Sequence, residues 1–307
     1  MIKSLQITNY LGDTIKLILG EPERSGFLVR GVTGLGPSKG NINTTSMSTN
    51  DGSLFNSARL DQRNIVLDLV FVDTVYHETI EDVRQKSYKY FPIKKPLDIV
   101  IETDNRKVKT TGYVESNEPD IFSQQEGTQI SIICPDPYFY SVGDGDKNVT
   151  NFYTIEPMFE FPFSNESLTD PLLVFGEIRL STEGIVVYTG DADIGMTVYI
   201  HALGPATNVK IYNMNTRETM SIDTTKLETL TGSGIIAKDD IIINTVKGEK
   251  SIKLIREGVS YNILNCLDKN TKWFSLTKGD NLFAFTAESG ISNLQLRIEN
   301  RVIYEGV

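Results

Sequence analysis

The chain has 307 residues, of which 39% are apolar and 23% are charged, a composition that is typical of globular proteins and argues against a disordered scaffold. This length exceeds the commonest size of a single hydrophobic core and favours two domains. The formal net charge of −10 argues against a protein that grips nucleic acid through clustered lysine and arginine, but it does not exclude a surface that nucleic acid merely passes.

The N-terminal half opens with strand patterns. Residues 2–8 and 14–19 predict a hairpin. A polar, glycine-punctuated loop then covers residues 31–62 and leads into residues 63–72, which are apolar at almost every position and predict a strand buried on both faces. Because a loop of this length is rarely idle in a compact domain, we expect it to contact a neighbouring subunit.

One helix is predicted near residues 78–90. Its early acidic residues and late lysines match the helix dipole, and Phe91 before Pro92 ends it, since the residue before a proline avoids helical angles. We expect the helix to cover the sheet of the first domain with a stripe formed by Tyr76, Ile80, Val83, Ser87 and Tyr90. Strands with one buried face follow, from the alternating residues Leu97, Ile99 and Ile101 and the alternating residues Ile130, Ile132 and Cys134.

The domain boundary is predicted in the polar, glycine-rich residues 142–148, which gives a first domain over residues 1–145 and a second over residues 146–307. In the second domain short strands alternate with glycine-containing turns, and we find no helical pattern. This arrangement is typical of a β-sandwich. Its clearest strands alternate at Met196, Val198, Ile200 and Ala202 and at Leu294, Leu296, Ile298, Val302 and Tyr304, with Asn300 as a polar exception.

Motifs that suggest chemistry are incomplete. Residues 34–40 resemble a phosphate-binding loop, but their lysine precedes the last glycine instead of following it, and a polar loop comes next instead of a helix. Residues 144–155 begin like a calcium loop, with Asp144, Asp146 and Asn148 at alternate positions. Val149 and Ile155 then stand where that loop needs glycine and a bidentate glutamate. A flexible contact loop and a solvated linker are the favoured interpretations.

The titratable residues form no recognisable site either. The two histidines, His77 and His201, have no metal-ligand spacing, and no local signature marks a nucleophile. The two cysteines, Cys134 and Cys266, lie far apart in apolar contexts, so we expect buried free thiols and folding in a reducing cytoplasm. We predict no catalytic residue, no cofactor and no metal. No apolar run reaches the roughly 18 residues of a membrane span, and no membrane insertion is expected.

Several features occur in an order that resembles the distal tail proteins of long-tailed bacteriophages. They are the loop with Asp51 and Gly52, the strand at residues 63–72, the single helix, the stretch at 134–140 and the terminal stretch at 301–307. Residues 160–163, 187–191 and 273–281 of the second domain also look similar to stretches in that family. The resemblance implies a mainly β fold: an N-terminal tail-tube-like β-sandwich or belt domain with one α-helix, and a C-terminal galectin-like β-sandwich.

The resemblance also implies a function without catalysis. The protein would form a homohexameric ring at the distal end of the tail, assembled in the host cytoplasm and carried in the virion. Its partners would be the tail tube protein, the tail-tip hub protein, the tape measure protein and receptor-binding or other baseplate proteins. DNA would pass through a central channel without specific binding. An acidic channel surface would repel the DNA phosphates and so help the DNA to pass without adhering. The candidate ring-interface residues on the loop are Gly34, Gly36, Asn43 and Asp51.

Two other functions compete with this interpretation. The second domain could bind host cell-wall carbohydrate, with the lone tryptophan, Trp273, as the candidate contact. Core or edge packing is the commoner place for such a residue in a sandwich. A cell-wall hydrolase would need paired carboxylates in a cleft, and no acidic pair stands out from the solvated ones.

Overall fold

The computed structural model describes residues 1–48, 51–143, 147–157 and 176–307. Its first half contains β1 (Ile2–Thr8), β2 (Thr14–Ile18), β3 (Phe27–Thr33), β4 (Gly40–Ser46), β5 (Ser53–Leu60), β6 (Arg63–Phe71), α1 (Ile80–Tyr90), β7 (Pro96–Thr103), β8 (Lys107–Asp120), β9 (Gly127–Cys134) and β10 (Phe139–Ser141). Its second half contains β11 (Lys147–Asn151), β12 (Tyr153–Pro157), β13 (Gly176–Leu180), β14 (Glu183–Tyr188), β15 (Thr197–Ala202), β16 (Lys210–Asn213), β17 (Glu218–Ser221), α2 (Thr224–Thr231), β18 (Asp240–Asn244), β19 (Ser251–Arg256), β20 (Val259–Asn262), β21 (Gly279–Thr286), β22 (Leu294–Arg301) and β23 (Ile303–Tyr304). The fold is mainly β, as the sequence predicts.

The chain divides into two compact units. The first unit contains Met1–Asp146 and Ile303–Val307, and the second contains Lys147–Val302. The last five residues therefore lie in the first unit, whereas the sequence pattern places them in the second domain. The reason is a strand pairing, because β23 pairs antiparallel with β10, with Phe139 opposite Tyr304 and Tyr140 opposite Ile303.

The first unit contains a nine-stranded sheet with the strand order β2-β1-β7-β8-β9-β6-β3, in which β10 also pairs with β8 and β23 pairs with β10. All of its pairings between neighbouring strands are antiparallel. The predicted opening hairpin is confirmed as β1 and β2, and the predicted alternating sets on β7 and β9 are fully buried. These buried side chains form one core cluster, which Val83 of α1 and Phe91 at its end complete.

Helix α1 begins and ends close to the predicted positions. Thr79 is its N-cap, and a capping box joins Thr79 and Asp82, whose hydrogen bonds lower the pKa of the Asp82 carboxyl. Val83 and Ser87 are buried as predicted, but Tyr76 is exposed, because it precedes the cap and does not belong to the helix.

Strand β6 differs from its prediction in how it is buried. Its residues are buried on alternate positions from Arg63 to Leu69, with Asn64 exposed, and only its last three residues are buried in succession. One face of β6 lies on the core. The other face is exposed at Asn64, half-buried at Val66 and Asp68 and buried at Val70. The apolar Val66 and Val70 on this second face made the sequence look buried on both faces.

The predicted loop at residues 31–62 is largely β-structure, which corrects the sequence interpretation. Strand β3 continues to Thr33, and β4 and β5 then pair antiparallel as a separate two-stranded sheet. Nearly all residues of these two strands are exposed. The serine-, asparagine- and threonine-rich composition suggested a loop because strand patterns depend on one buried face, and this hairpin buries neither.

The second unit contains a six-stranded sheet, β11-β22-β15-β18-β19-β20, a four-stranded sheet, β14-β21-β16-β17, and the small sheet of β12 and β13. The predicted alternating residues of β15 and β22 are buried, and Asn300 is buried with them. The ring of Phe152, next to β11, lies 6.2 Å from the ring of Phe285 on β21, as in a sandwich core. A helix that the sequence analysis missed, α2, begins at an Asp223 cap and ends before Gly232 at φ +83°.

Candidate functional site: an exposed hairpin arm and its base

The hairpin of β4 and β5, called the arm below, has two chemically different faces. Ile42 lies opposite Ala58 and Thr44 lies opposite Phe55, so these four residues share one face, since positions two apart on β4 point the same way. A register shift between Asn43 and Thr44 lets Ala58 and Phe55, three positions apart, share that face. This apolar face exposes 64% of Ile42 and 66% of Phe55.

The opposite face of the arm is mostly polar and is tied by side-chain hydrogen bonds. Asn43 Nδ2 donates to Ser57 Oγ at 3.2 Å, and Asn56 Nδ2 donates to Thr45 Oγ1 at 2.6 Å. Leu54 is the apolar exception on this side, opposite Thr45. The two cross-strand bonds hold the ribbon in register, because a hairpin with no packed face has little else to fix it.

Arg63 anchors the base of the arm. Its side chain is buried, and its guanidinium donates to the carbonyl oxygens of Gly34, Gly36, Pro137 and Glu305, with distances of 2.6 Å to Gly34 and Glu305 and of 2.9 and 2.7 Å for the two bonds to Pro137. The guanidinium carbon lies 4.2 Å from the centroid of the Phe139 ring. Burial lowers the pKa of the Arg63 guanidinium. The nearby Cys134 and Asp136 raise this pKa, but by less than burial lowers it. One cation thus joins three chain segments through backbone groups.

The terminal residues add further contacts to this base. Val307 N donates to Leu35 O at 3.1 Å, and Arg106 Nη1 donates to Gly306 O at 3.2 Å. The Arg106 guanidinium carbon also lies 4.3 Å from the centroid of the Tyr304 ring. The base of the arm therefore has a fixed shape, built from residues near both ends of the chain.

The structure distributes the four predicted interface residues along the arm. Gly34 and Gly36 lie at the base, where Arg63 binds their carbonyl groups. Asn43 lies midway along β4 and is exposed, and Asp51 is exposed close to the turn, next to Gly52 at φ +93°. Sequence reasoning missed Arg63 as the anchor, although a lone arginine at the start of an apolar strand was the available signal.

Trp273 is neither fully exposed, as a sugar contact would be, nor fully buried, as a core residue would be. It is half-buried outside regular strands, and Lys250 Nζ lies 5.4 Å from the centroid of its ring. The neighbouring Phe274 takes the core position instead, with its ring 5.7 Å from that of Phe283. The role of Trp273 as a carbohydrate contact stays a prediction.

In the part of the chain that the structure describes, residues 1–48, 51–143, 147–157 and 176–307, no three His, Cys, Asp or Glu side chains are placed to hold a metal ion. The calcium-loop residues Asp144 and Asp146 lie outside the described residues. His77 is exposed, whereas His201 Nδ1 lies 2.6 Å from Asp240 Oδ1.

Both cysteines are buried and free, as predicted. Burial raises the pKa of the Cys134 thiol and of the Cys266 thiol, which disfavours the thiolate form. Among the described residues, the helices are too short or too polar to cross a lipid bilayer.

No family model matches the sequence, and no curated protein matches it. Solved structures do match. SPP1 Dit (gp 19.1), described as a paradigm of the hub adsorption apparatus in phages that infect Gram-positive bacteria, has a TM-score of 0.61 and 12% sequence identity, over 97% of this chain and 98% of that one.

Two chains of the phage p2 baseplate in its activated conformation, with strontium and with calcium, are each 11% identical. They cover 97% and 98% of this chain and the same shares of their own chains, with TM-scores of 0.41 and 0.40. The conclusion about the fold rests on SPP1 Dit alone. With a TM-score of 0.61, this chain has the fold of SPP1 Dit over nearly its whole length.

Proposed function

We propose that this chain is a structural protein of a phage tail tip, which closes into a hexameric ring through its hairpin arm. The observation that carries the proposal is the arm itself, a two-stranded ribbon that exposes Ile42 and Phe55 on one face. Such a ribbon is marginal alone in water, and its apolar face gains free energy when another surface covers it. The shared fold with SPP1 Dit supports a place in a tail hub.

The proposed mechanism is geometric and not catalytic. An arm that leaves one subunit and packs on the next makes a heterologous contact, which closes into a ring when the rotation between subunits permits. We propose Asp51 as a direct contact of the arm and Asn43 as a residue that holds the arm in register through its bond to Ser57. We propose that Gly34 and Gly36 act through the shape of its base. The first unit would form the ring and the second, galectin-like unit would carry attachments.

The proposed ring joins the tail tube protein to the tail-tip hub and tape measure proteins, and it anchors receptor-binding or other baseplate proteins. It is a virion component at the distal end of the tail, assembled in the host cytoplasm. DNA passes through its channel without specific binding, which the net charge of −10 supports, because bound DNA would require clustered cations.

Removing the arm tests the proposal. Asp61 N donates to Lys39 O at 3.0 Å, so residues 40–60 can be replaced by two glycines without separating their flanks. Six copies of the 34.3 kDa chain give about 206 kDa, and we expect this mass and six-fold rings from the unmodified protein by light scattering and negative-stain microscopy. The armless variant should stay a folded monomer.

A matched control shortens a different exposed loop. Residues 121–126 connect β8 to β9, and a glycine–serine linker in place of residues 121–125 should leave ring formation unchanged. Rings of normal mass from the armless variant would refute the role of the arm. A strictly monomeric unmodified chain at high concentration would refute ring closure by the chain alone.

A further inference from the structure

Exposed apolar residues also cluster at the turn between β1 and β2. This surface, called the turn patch below, consists of Tyr10, Leu11, Pro96 and Tyr113, and it exposes 68% of Leu11 and 50% of Tyr10. Pro96 lies directly opposite Tyr113 across β7 and β8. Lys95 connects these residues to the turn, since its Nζ lies 5.3 Å from the centroid of the Tyr10 ring.

The turn patch and the base of the arm lie at the same end of the nine-stranded sheet. Arg63, where the arm returns to the sheet, lies opposite Cys134, and the preceding Ile133 lies opposite Tyr113. Pro96 continues this row on β7, and the β1–β2 turn follows from the end of β1. A row of paired residues thus connects the two surfaces across the sheet.

The two surfaces lie towards opposite edges of that sheet. The arm leaves between β3 and β6 on one side, and the turn patch reaches β1 and β2 on the other. Strands β1 and β6 are four strand spacings apart, or about 19 Å when measured along the surface of the sheet. In a ring built by rotation, every contact joins one surface to a different surface at the same height on the next copy. Two different apolar surfaces at the same end of the sheet meet this requirement.

The size and charge of the arm suit this contact. Strand β4 has seven residues, which span about 24 Å in an extended ribbon, enough to cross a subunit boundary. Asp51 near the turn of the arm is acidic, and Lys94 and Lys95 flank the turn patch. Opposite charges at the rim of an apolar contact help to fix its register.

We propose that the apolar face of the arm of one copy docks on the turn patch of the next copy. This contact rests on the proposed ring and identifies both of its surfaces. Phe55 and Ile42 would lie against Leu11 and Tyr10.

A mixing experiment tests the contact directly. Phe55→Asp disables the arm and Leu11→Asp disables the turn patch, and each variant alone should be a monomer by light scattering. The Phe55→Asp chain keeps an intact patch and the Leu11→Asp chain keeps an intact arm. An equimolar mixture should therefore form a dimer of about twice the 34.3 kDa chain mass and nothing larger. Phe122→Asp, at the most exposed phenylalanine of the β8–β9 loop, is the matched control and should still form rings.

Cross-linking gives an independent measurement. A chain that carries both Leu11→Cys and Phe55→Cys should give a ladder of disulfide-linked species up to the hexamer on oxidation, because the native Cys134 and Cys266 are buried. Normal rings from Leu11→Asp, or a mixture that stays monomeric, would overturn the docking contact while leaving the ring proposal standing. Loss of rings in the Phe122→Asp control would show that charge alone disturbs assembly and would overturn it too.

Discussion

Gly34 and Gly36 both lie at the base of the arm, but their surroundings differ. Gly34 has φ +81°, and a Cβ there would lie 1.9 Å from the carbonyl oxygen of Asn64. Gly36 has open space around the position of a Cβ and no left-handed backbone. Both carbonyl groups accept hydrogen bonds from Arg63. Only Gly34 is therefore required to be glycine by its backbone and its neighbours.

We expect Gly34→Ala to lower the free energy of unfolding by about 2 kcal/mol or more, because alanine is strained at positive φ and must displace the backbone of β6. Gly36→Ala is the matched control and should change it by less than about 0.5 kcal/mol. Urea unfolding of both variants measures the difference. Equal stabilities would show that the base of the arm is loose enough to move aside.

At the scale of whole elements, the success of sequence reasoning depended on packing. Strands β7, β9, β15 and β22 each have one face on a core, and burial of that face imposes alternation of apolar residues. This alternation predicted these strands from the sequence. The arm was not predicted because neither of its faces is buried in the monomer, so its sequence has no alternation of apolar and polar residues. Helix α2 was not predicted, because its threonine-rich sequence has low helix propensity. Its aspartate cap and its terminal glycine were the two signals of a helix that the sequence did contain.

The stability of α2 should depend on its cap. Asp223 accepts hydrogen bonds from the backbone N–H groups of Thr225 and Lys226, and these bonds lower the pKa of its carboxyl. We expect Asp223→Ala to lower the free energy of unfolding, measured by urea titration at neutral pH, because two backbone N–H groups of the first turn lose their acceptor. Asp223→Asn keeps a side-chain acceptor and should lose less.

Acidification provides a second check on the same cap. Because the folded-state pKa of Asp223 is depressed, its contribution is present above the unfolded-state pKa and is lost as pH falls through the folded-state value. The stability gap between the native chain and Asp223→Ala should therefore shrink in acid. A gap that stays constant in acid would assign the effect of the substitution to something other than the charged cap.

At the scale of the whole molecule, the chain completes the base of its arm with residues that come last in sequence. Residues 303–307 follow the last strand of the second unit but belong to the first. Their strand β23 pairs with β10, Glu305 O accepts from Arg63, and Val307 N donates to Leu35 O. No sequence pattern predicts this return, because it joins Arg63 to a residue 242 positions away through a backbone carbonyl that any residue type supplies.

Removing residues 303–307 should therefore loosen the base of the arm without unfolding the second unit, whose strands all lie within Lys147–Val302. Arg63 would lose one of its carbonyl partners and keep the others, and Leu35 O would lose its hydrogen-bond donor. We therefore expect faster amide hydrogen exchange near residues 34–38 and weaker ring formation. Glu305→Ala is the matched control, because Arg63 binds the backbone and not the side chain of that residue. If the truncated chain exchanged as slowly as the Glu305→Ala chain, the base would hold its shape without the terminal strand, and the arm would owe its orientation to β3 and β6 alone.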